Sequence, residues 1–354
     1  VNRREAIVSL LGVAASAGFA ASEQRSPNSS WLVDEVAADR AVITERDRWL
    51  REWIRGLAAD TRLNLVDRAH LILGLDEDFD LGDNRGWLFS STSRSATVAG
   101  VDGFAPWLLR TASGWTVRAA GSRRKAQNGE AHPAQFLCCM HESLRFLDAW
   151  AVTDPSGTSL SPRDLARGYL PAVAGWTDLD SLIPALVAFD DRHDWSVGSR
   201  TLSLGDLASL QLARGPGEHC FGTHWWWSLL ALRSAGEAGR LDGEILGRIE
   251  RALEDELARL SLSAAVDGAF VAPENARGDE LRLVGARVSY VGHTLAWALR
   301  CGDLTKEHAR SIRRAARWLA ETGSNSAPDI GLSTLCHACH ALRLSHGVDA
   351  LWRP

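Results

Sequence analysis

Histidine and cysteine are the residues of this chain whose types and spacing suit chemistry. His132 opens HPAQF, Cys220 and His224 frame CFGTH, His293 lies in VGHTLAW, and His337 and His340 sit in CHACH with Cys336 and Cys339. His70 adds a further position. Imidazole nitrogen transfers protons near neutral pH and ligates metals, and thiolate sulfur is a good ligand for zinc. Cys220 and His224 are four apart and His337 and His340 three apart, spacings that place two side chains on one helical face. Cys220, His224 and His340 are therefore the candidate metal ligands, with zinc the candidate ion and His293 and His337 in reserve. The candidate acid–base residues are His293 first, then His132 and His224. The candidate ligand-binding residues are Gln135, Thr223, Trp225, Trp297 and His337. The cysteines themselves have a plain structural role open to them, because cysteine packs well as a small core residue.

Such groups need elements that bring them together, and the hydrophobic pattern supplies helices of two kinds. The stretches 36–59, 241–262 and 306–321 carry one apolar stripe at a period near 3.6 with charges between, and Thr305 stands ready to cap the third. The stretches 134–150, 178–189, 223–235, 292–301 and 332–345 are apolar nearly all round, and 62–75 is a first helix of that type. Helices of the second kind must be buried between those of the first. The turns entering the buried helices sit near His132, Asp178, Gly222, Gly292 and Ser333, at intervals of about 46, 44, 70 and 41 residues, and one helical hairpin takes roughly 45. The long interval holds an insertion, 264–290, where DGAFVAP and LRLVGARVSY read as short strands or an ordered loop. A second irregular stretch, Gly82 to Gly129, should hold short strands such as Gly114 to Ala119.

An outer layer of half-wet helices around an inner layer of buried ones is what a closed ring of about six hairpins requires. The chain is read as all-α. By hairpin spacing, the DGAF element and the inner-helix pattern it resembles the α/α-toroid superfamily that includes terpenoid cyclases and protein prenyltransferases. It is also similar to the (α/α)6 barrels of N-acylglucosamine 2-epimerase-like proteins, whose Gly-His-x-x-Glu-Trp segment VGHTLAWAL resembles. The first resemblance implies a toroid over most of residues 40–350, and the second implies that His293 does acid–base work beside Trp297. The catalytic motifs of both are missing: Ala296 stands at the glutamate position, and neither Asp76–Asp80 nor Phe189–Asp194 has the Asp-x-Asp-Asp spacing of a cyclase. In such a ring the corresponding ends of the inner helices surround one cavity, where the histidines would converge.

Composition bounds the rest. The chain has 354 residues, 45% hydrophobic and 23% charged, with six cysteines and a formal net charge of −5. That is globular composition with no basic footprint for nucleic acid and too few cysteines for a disulfide scaffold. Residues 1–22 read as a signal peptide, with Arg3 and Arg4 before an apolar stretch of about 14 residues. The pair resembles a twin-arginine export signal, so the expected address is periplasmic or secreted. Residues 23–34 read as a linker and 35–354 as one domain. No P-loop, Gly-x-Gly-x-x-Gly or Gly-x-Ser-x-Gly element is present. The function expected is binding of a small molecule or saccharide in a His/Cys-lined cavity, with its transformation as the enzymatic form of that reading. The alternatives are a non-catalytic interaction scaffold and a zinc-dependent enzyme with ligands from Cys220, His224, His293 and His337. The partner classes expected are a small-molecule or saccharide ligand and no nucleic acid.

Overall fold

The computed structural model describes residues 29–58, 65–75, 108–111, 114–117, 152–153, 159–160, 179–189, 194–197, 200–216, 219–263, 265–271, 283–302 and 304–353. The described chain is mostly helical. In order it runs through α1 (Ser29–Ala58), α2 (Leu65–Leu75), β1 (Leu108–Thr111), β2 (Gly114–Val117), β3 (Val152–Thr153), β4 (Ser159–Leu160), α3 (Leu179–Phe189), β5 (Asp194–Val197), β6 (Arg200–Ser203), α4 (Leu204–Arg214), a 3-10 turn (His219–Gly222), α5 (Thr223–Glu237), α6 (Gly243–Leu262), α7 (Val284–Ala298), α8 (Lys306–Asn325) and α9 (Leu332–His346). The six strands form three separate antiparallel hairpins. None of the described helices is long and apolar enough to cross a membrane.

The helices pack as two rows. In the inner row α3 lies against α5, α5 against α7, α7 against α9, and α9 against α2. In the outer row α4 lies against α6, α6 against α8, and α8 against α1. Residue pattern explains which helix goes where. Helix α1 buries Val36, Ile43, Leu50 and Ile54 on one stripe, and α6 buries Ile249, Leu253, Leu257 and Leu260, while their other faces are charged. Helix α7 is buried continuously from Tyr290 to Ala298, and α9 from Leu335 to Leu342. A helix without a polar face is stable only inside, so these two and α5 form the middle of the molecule.

Two close approaches set the spacing of the inner row. A Cβ on Gly292 of α7 would lie 3.3 Å from the backbone of His337 and Ala338 in α9. A Cβ on Gly74 of α2 would lie 2.9 Å from the Cα of Cys336. Glycine is needed where backbones come this near. Both contacts flank His337, so α9 is gripped from two sides at the level of its histidines.

The structure differs from the sequence expectation in three places. Helix α1 begins at Ser29, inside the stretch read as a linker, because nothing from Ser29 to Glu35 breaks a helix. VGARVSY is not strand: it forms the first two turns of α7, continuous with the expected helix from Gly292, and its valines follow no strict alternation. DGAF takes the ordered-loop form of its expectation, a tight turn closed by Gly268 N–H donating to the Ala265 carbonyl and Asp267 accepting from Ala269 N–H. The β5–β6 hairpin and α4 were not foreseen, although Ser203 and Asp206 form a full capping box at the start of α4. The expected cap at α8 is present, with Thr305 accepting from His308 N–H, and α6 is capped by Asp242 accepting from Glu244 N–H. The segment 1–22, expected to be a signal peptide, and the expected helix 134–150 lie outside the described residues, and the expected strand near Gly114 is β2.

Candidate functional site

Four inner helices each deliver a histidine to one place in the interior. His70 comes from α2, His224 from α5, His293 from α7 and His337 from α9, and all are buried. The rings touch in a chain. His70 meets His337 edge-on at 4.9 Å between centroids, His337 lies tilted against His293 at 3.6 Å, and His293 meets His224 edge-on at 5.6 Å. His293 follows Gly292 and His337 precedes Ala338, so the glycine that lets α7 and α9 approach also brings these two rings together.

The proton positions follow from the hydrogen bonds. His293 Nδ1 lies 2.8 Å from the carbonyl oxygen of Ser289, one helical turn back, and only an Nδ1–H can donate to that oxygen. The Nε2 of His293 therefore carries a lone pair, and it has no hydrogen-bond partner. The Nε2 of His337 is buried without a partner as well. His340 is oriented the opposite way: Arg343 Nη2 donates to its Nδ1 at 3.0 Å, which puts the proton on Nε2. Burial pushes His293 down to about 4, with the Ser289 hydrogen bond opposing and His70 adding to the shift. Burial also holds His337 and His340 well below the ordinary histidine value, helped for His337 by its neighbour His293 and for His340 by Arg300 and Arg343. At neutral pH these three imidazoles are uncharged.

Cys220 reaches the cluster by an unusual backbone. Cys220 (φ 45°, ψ 42°) and Phe221 (φ 58°, ψ 29°) are both left-handed, followed by Gly222 at φ 78°. A side-chain-bearing residue in that conformation costs about 1–2 kcal/mol. Thr223 locks the turn by donating its hydroxyl to the Cys220 carbonyl at 2.6 Å. The result is that Cys220, which precedes α5 rather than sharing its face, comes beside the first turn of the helix. The ligand atoms of Cys220, His224 and His293 lie within 4.8 Å of one another, and they form the one group of three or more such residues among the described residues. Cys220 is half-buried, whereas Cys301, Cys336 and Cys339 are buried. Burial pushes the Cys301 thiol up to about 12 and the Cys339 thiol well above its ordinary value, so both remain protonated core residues.

The expected site residues thus divide. Cys220, His224 and His293 come together, with His337 against His293. His340 lies outside that group, its Nδ1 turned to Arg343. The Thr223 hydroxyl closes the turn. Trp225 donates its indole N–H to the Gln211 carbonyl at 2.7 Å and so ties α5 to α4, and Trp297 is buried against Trp226 in a stack 5.2 Å between centroids. His132 and Gln135 lie outside the described residues. Of the further ligands the sequence offered beside Cys220 and His224, His293 joins them and His340 does not. A helix buried all round offers no polar face, so spacing alone does not say which of its residues meets which neighbour.

No family model matches the chain, and no curated protein or solved structure matches it either.

Proposed function

We propose that the protein is an enzyme that binds a small polar molecule, saccharides among the fitting classes, at the imidazole cluster and transforms it there. The observation that carries this reading is the meeting of four histidines from four helices, drawn from positions 70 to 337, with the Nε2 atoms of His293 and His337 left without partners. A buried polar group without a hydrogen bond costs roughly 1–3 kcal/mol, and leucine or phenylalanine would fill the same space without that cost. Trp227, Trp297 and His340 also bury an unpartnered ring nitrogen, but each of those carries a hydrogen; the free atom of His293 is a lone pair, which can take a proton or a ligand. Neutral imidazoles accept protons and ligate; they do not form ion pairs, so the cluster suits an uncharged or oxygen-donor ligand. The two-row packing supports an α/α toroid with this cluster on the inner wall, and Arg3, Arg4 and the apolar stretch behind them support an exported protein.

The test compares wild type with His337→Leu and His337→Gln in a thermal-shift screen of saccharides and small polar metabolites. A compound present at about a hundred times its Kd stabilises the fold by roughly 2.7 kcal/mol, a shift of several degrees for a chain of this size. The expected result is a compound class that stabilises wild type and loses its effect on both variants. Hits that stabilise His337→Leu equally, or no hit in the whole screen, would favour the non-catalytic scaffold instead.

A further inference from the structure

We propose that Cys220, His224 and His293 bind a thiophilic divalent transition metal, zinc by best match, leaving a coordination position for an oxygen ligand. The inference concerns the same cluster as the functional reading above and deepens it by naming what the imidazoles hold.

The geometry supplies the argument. One sulfur and two nitrogen donors lie within 4.8 Å of one another. Around a tetrahedral zinc such atoms sit about 3.3–3.6 Å apart, so enclosing the ion takes side-chain adjustments of about 1 Å. The His224 and His293 rings meet edge-on, 78° between planes, as rings converging on a common point do and stacked rings do not. His293 is fully buried, its Nε2 is an unpartnered lone pair, and its Nδ1–H donates to the Ser289 carbonyl. A metal-bound histidine commonly shows this arrangement, with one nitrogen on the ion and the other held by a backbone oxygen. His340 has the wrong tautomer for the task, because the nitrogen free of Arg343 carries the proton. The left-handed turn at Cys220 and Phe221 sets the sulfur beside the two imidazoles at a cost in backbone strain.

Binding is an exchange without redox change. The Cys220 S–H bond breaks, its proton leaves to solvent, and the sulfur electron pair forms the S–metal bond. The two imidazoles donate their existing lone pairs. One thiolate and two neutral imidazoles around a dication leave a net charge of +1 among apolar helices. That charge favours an anionic or strongly polarised oxygen as the remaining ligand, such as hydroxide, carboxylate or the carbonyl of a substrate. Three protein ligands and one exchangeable position form a catalytic type of zinc site rather than a closed structural one.

The experiment uses the full chain purified without chelator. Elemental analysis should find close to one equivalent of zinc or another first-row metal, reduced at least about tenfold in Cys220→Ala and in His293→Ala. Replacing the metal by cobalt(II) should give the visible bands of a four-coordinate site and a near-ultraviolet thiolate-to-cobalt band. Cys220→Ser should abolish that near-ultraviolet band. If an alanine variant fails to fold, His293→Cys keeps a ligand at the position and should retain metal with a stronger thiolate band. Metal content unchanged by the Cys220 and His293 substitutions, or no metal after dialysis against zinc and removal of excess, overturns the proposal. The two readings fail separately. Metal-free protein that still binds a ligand through His337 overturns only the metal. Bound metal with ligand binding indifferent to His337 overturns only the functional reading.

Discussion

Three buried polar regions of this molecule are built on two opposite terms, two of them saturated and one not. At the junction of α3, α4 and α5, Asp180 accepts from both Nη atoms of Arg214 and from the side-chain amide of Gln211. Gln211 also donates to the Ser228 hydroxyl, which donates to the Trp225 carbonyl. Near the C-terminus, Asp39 of α1 takes Arg313 Nε on one oxygen and Arg317 Nη1 on the other, and Arg313 donates to the Leu351 carbonyl. Both regions lock helices together, and each buried carboxylate there has donors on both oxygens. In the imidazole cluster the rings touch one another, and the Nε2 atoms of His293 and His337 touch no partner. A saturated network stabilises a fold, whereas an unsaturated one must be justified by something it binds.

The largest effect should come from the saturated side. Asp39→Ala leaves Arg313, itself buried, with an uncompensated charge, and should cost about 3–5 kcal/mol in urea unfolding. The double variant Asp39→Leu with Arg313→Met removes both charges and should recover most of that loss. Metal content of the folded fraction should stay at the wild-type value in both. A drop in metal content without unfolding would break the comparison, by showing that this network also shapes the cluster.

Gly292→Ala links the two kinds of region and should have the next largest effect. Its new methyl meets the α9 backbone at 3.3 Å, so α7 and α9 must part by a few tenths of an ångström. The overpacking should cost about 1–3 kcal/mol. Because the His293–His337 contact is set at this crossing, metal affinity should fall by about tenfold, as when a group supporting a ligand is lost. Competition with a chromophoric chelator measures that affinity. Normal affinity with reduced stability would mean that the crossing positions helices but not ligands.

How far these features were legible in the sequence depends on the kind of signal each leaves. Helices α1, α6 and α8 carry a stripe of apolar residues, and the stripe gives both the helix and the face it buries. Thr305 shows its cap in the same way. Helices α5, α7 and α9 could be recognised as interior, but a fully apolar surface has no preferred face, and so His340 was as good a partner for His224 as His293 was. The decisive contact is between backbones, at Gly292 and Ala338, and a single glycine does not announce what it approaches. The left-handed turn at Cys220 and Phe221 breaks the local rule that such conformations belong to glycine, and residues breaking a rule of that kind cannot be predicted from it. Helix α4 was different: Ser203 and Asp206 had the spacing of a capping box, so the signal was present and unread.

A further effect separates the two kinds of region by pH. In chelator-treated protein, His293, His337 and His340 are held neutral by burial, His293 down to about 4. Their values in the folded chain lie below the ordinary 6.5 of the unfolded chain, so on acidification the unfolded chain takes up protons first. Stability is therefore complete above about pH 6.5 and is lost as pH falls toward 4, by at most about 1.4 kcal/mol per pH unit for each histidine. Carboxylates held low by hydrogen bonds, such as Asp206 by Ser203 and Asp267 by Arg287 against its own burial, act at lower pH, because their ordinary value is 3.8. The window between pH 6.5 and 4.5 thus reports the imidazole cluster and leaves those carboxylates silent. His337→Leu should flatten the slope there by about one proton and raise stability at pH 5. A wild-type curve already flat across that window would mean that the cluster takes up protons without unfolding, and so that water reaches the imidazoles in the folded state.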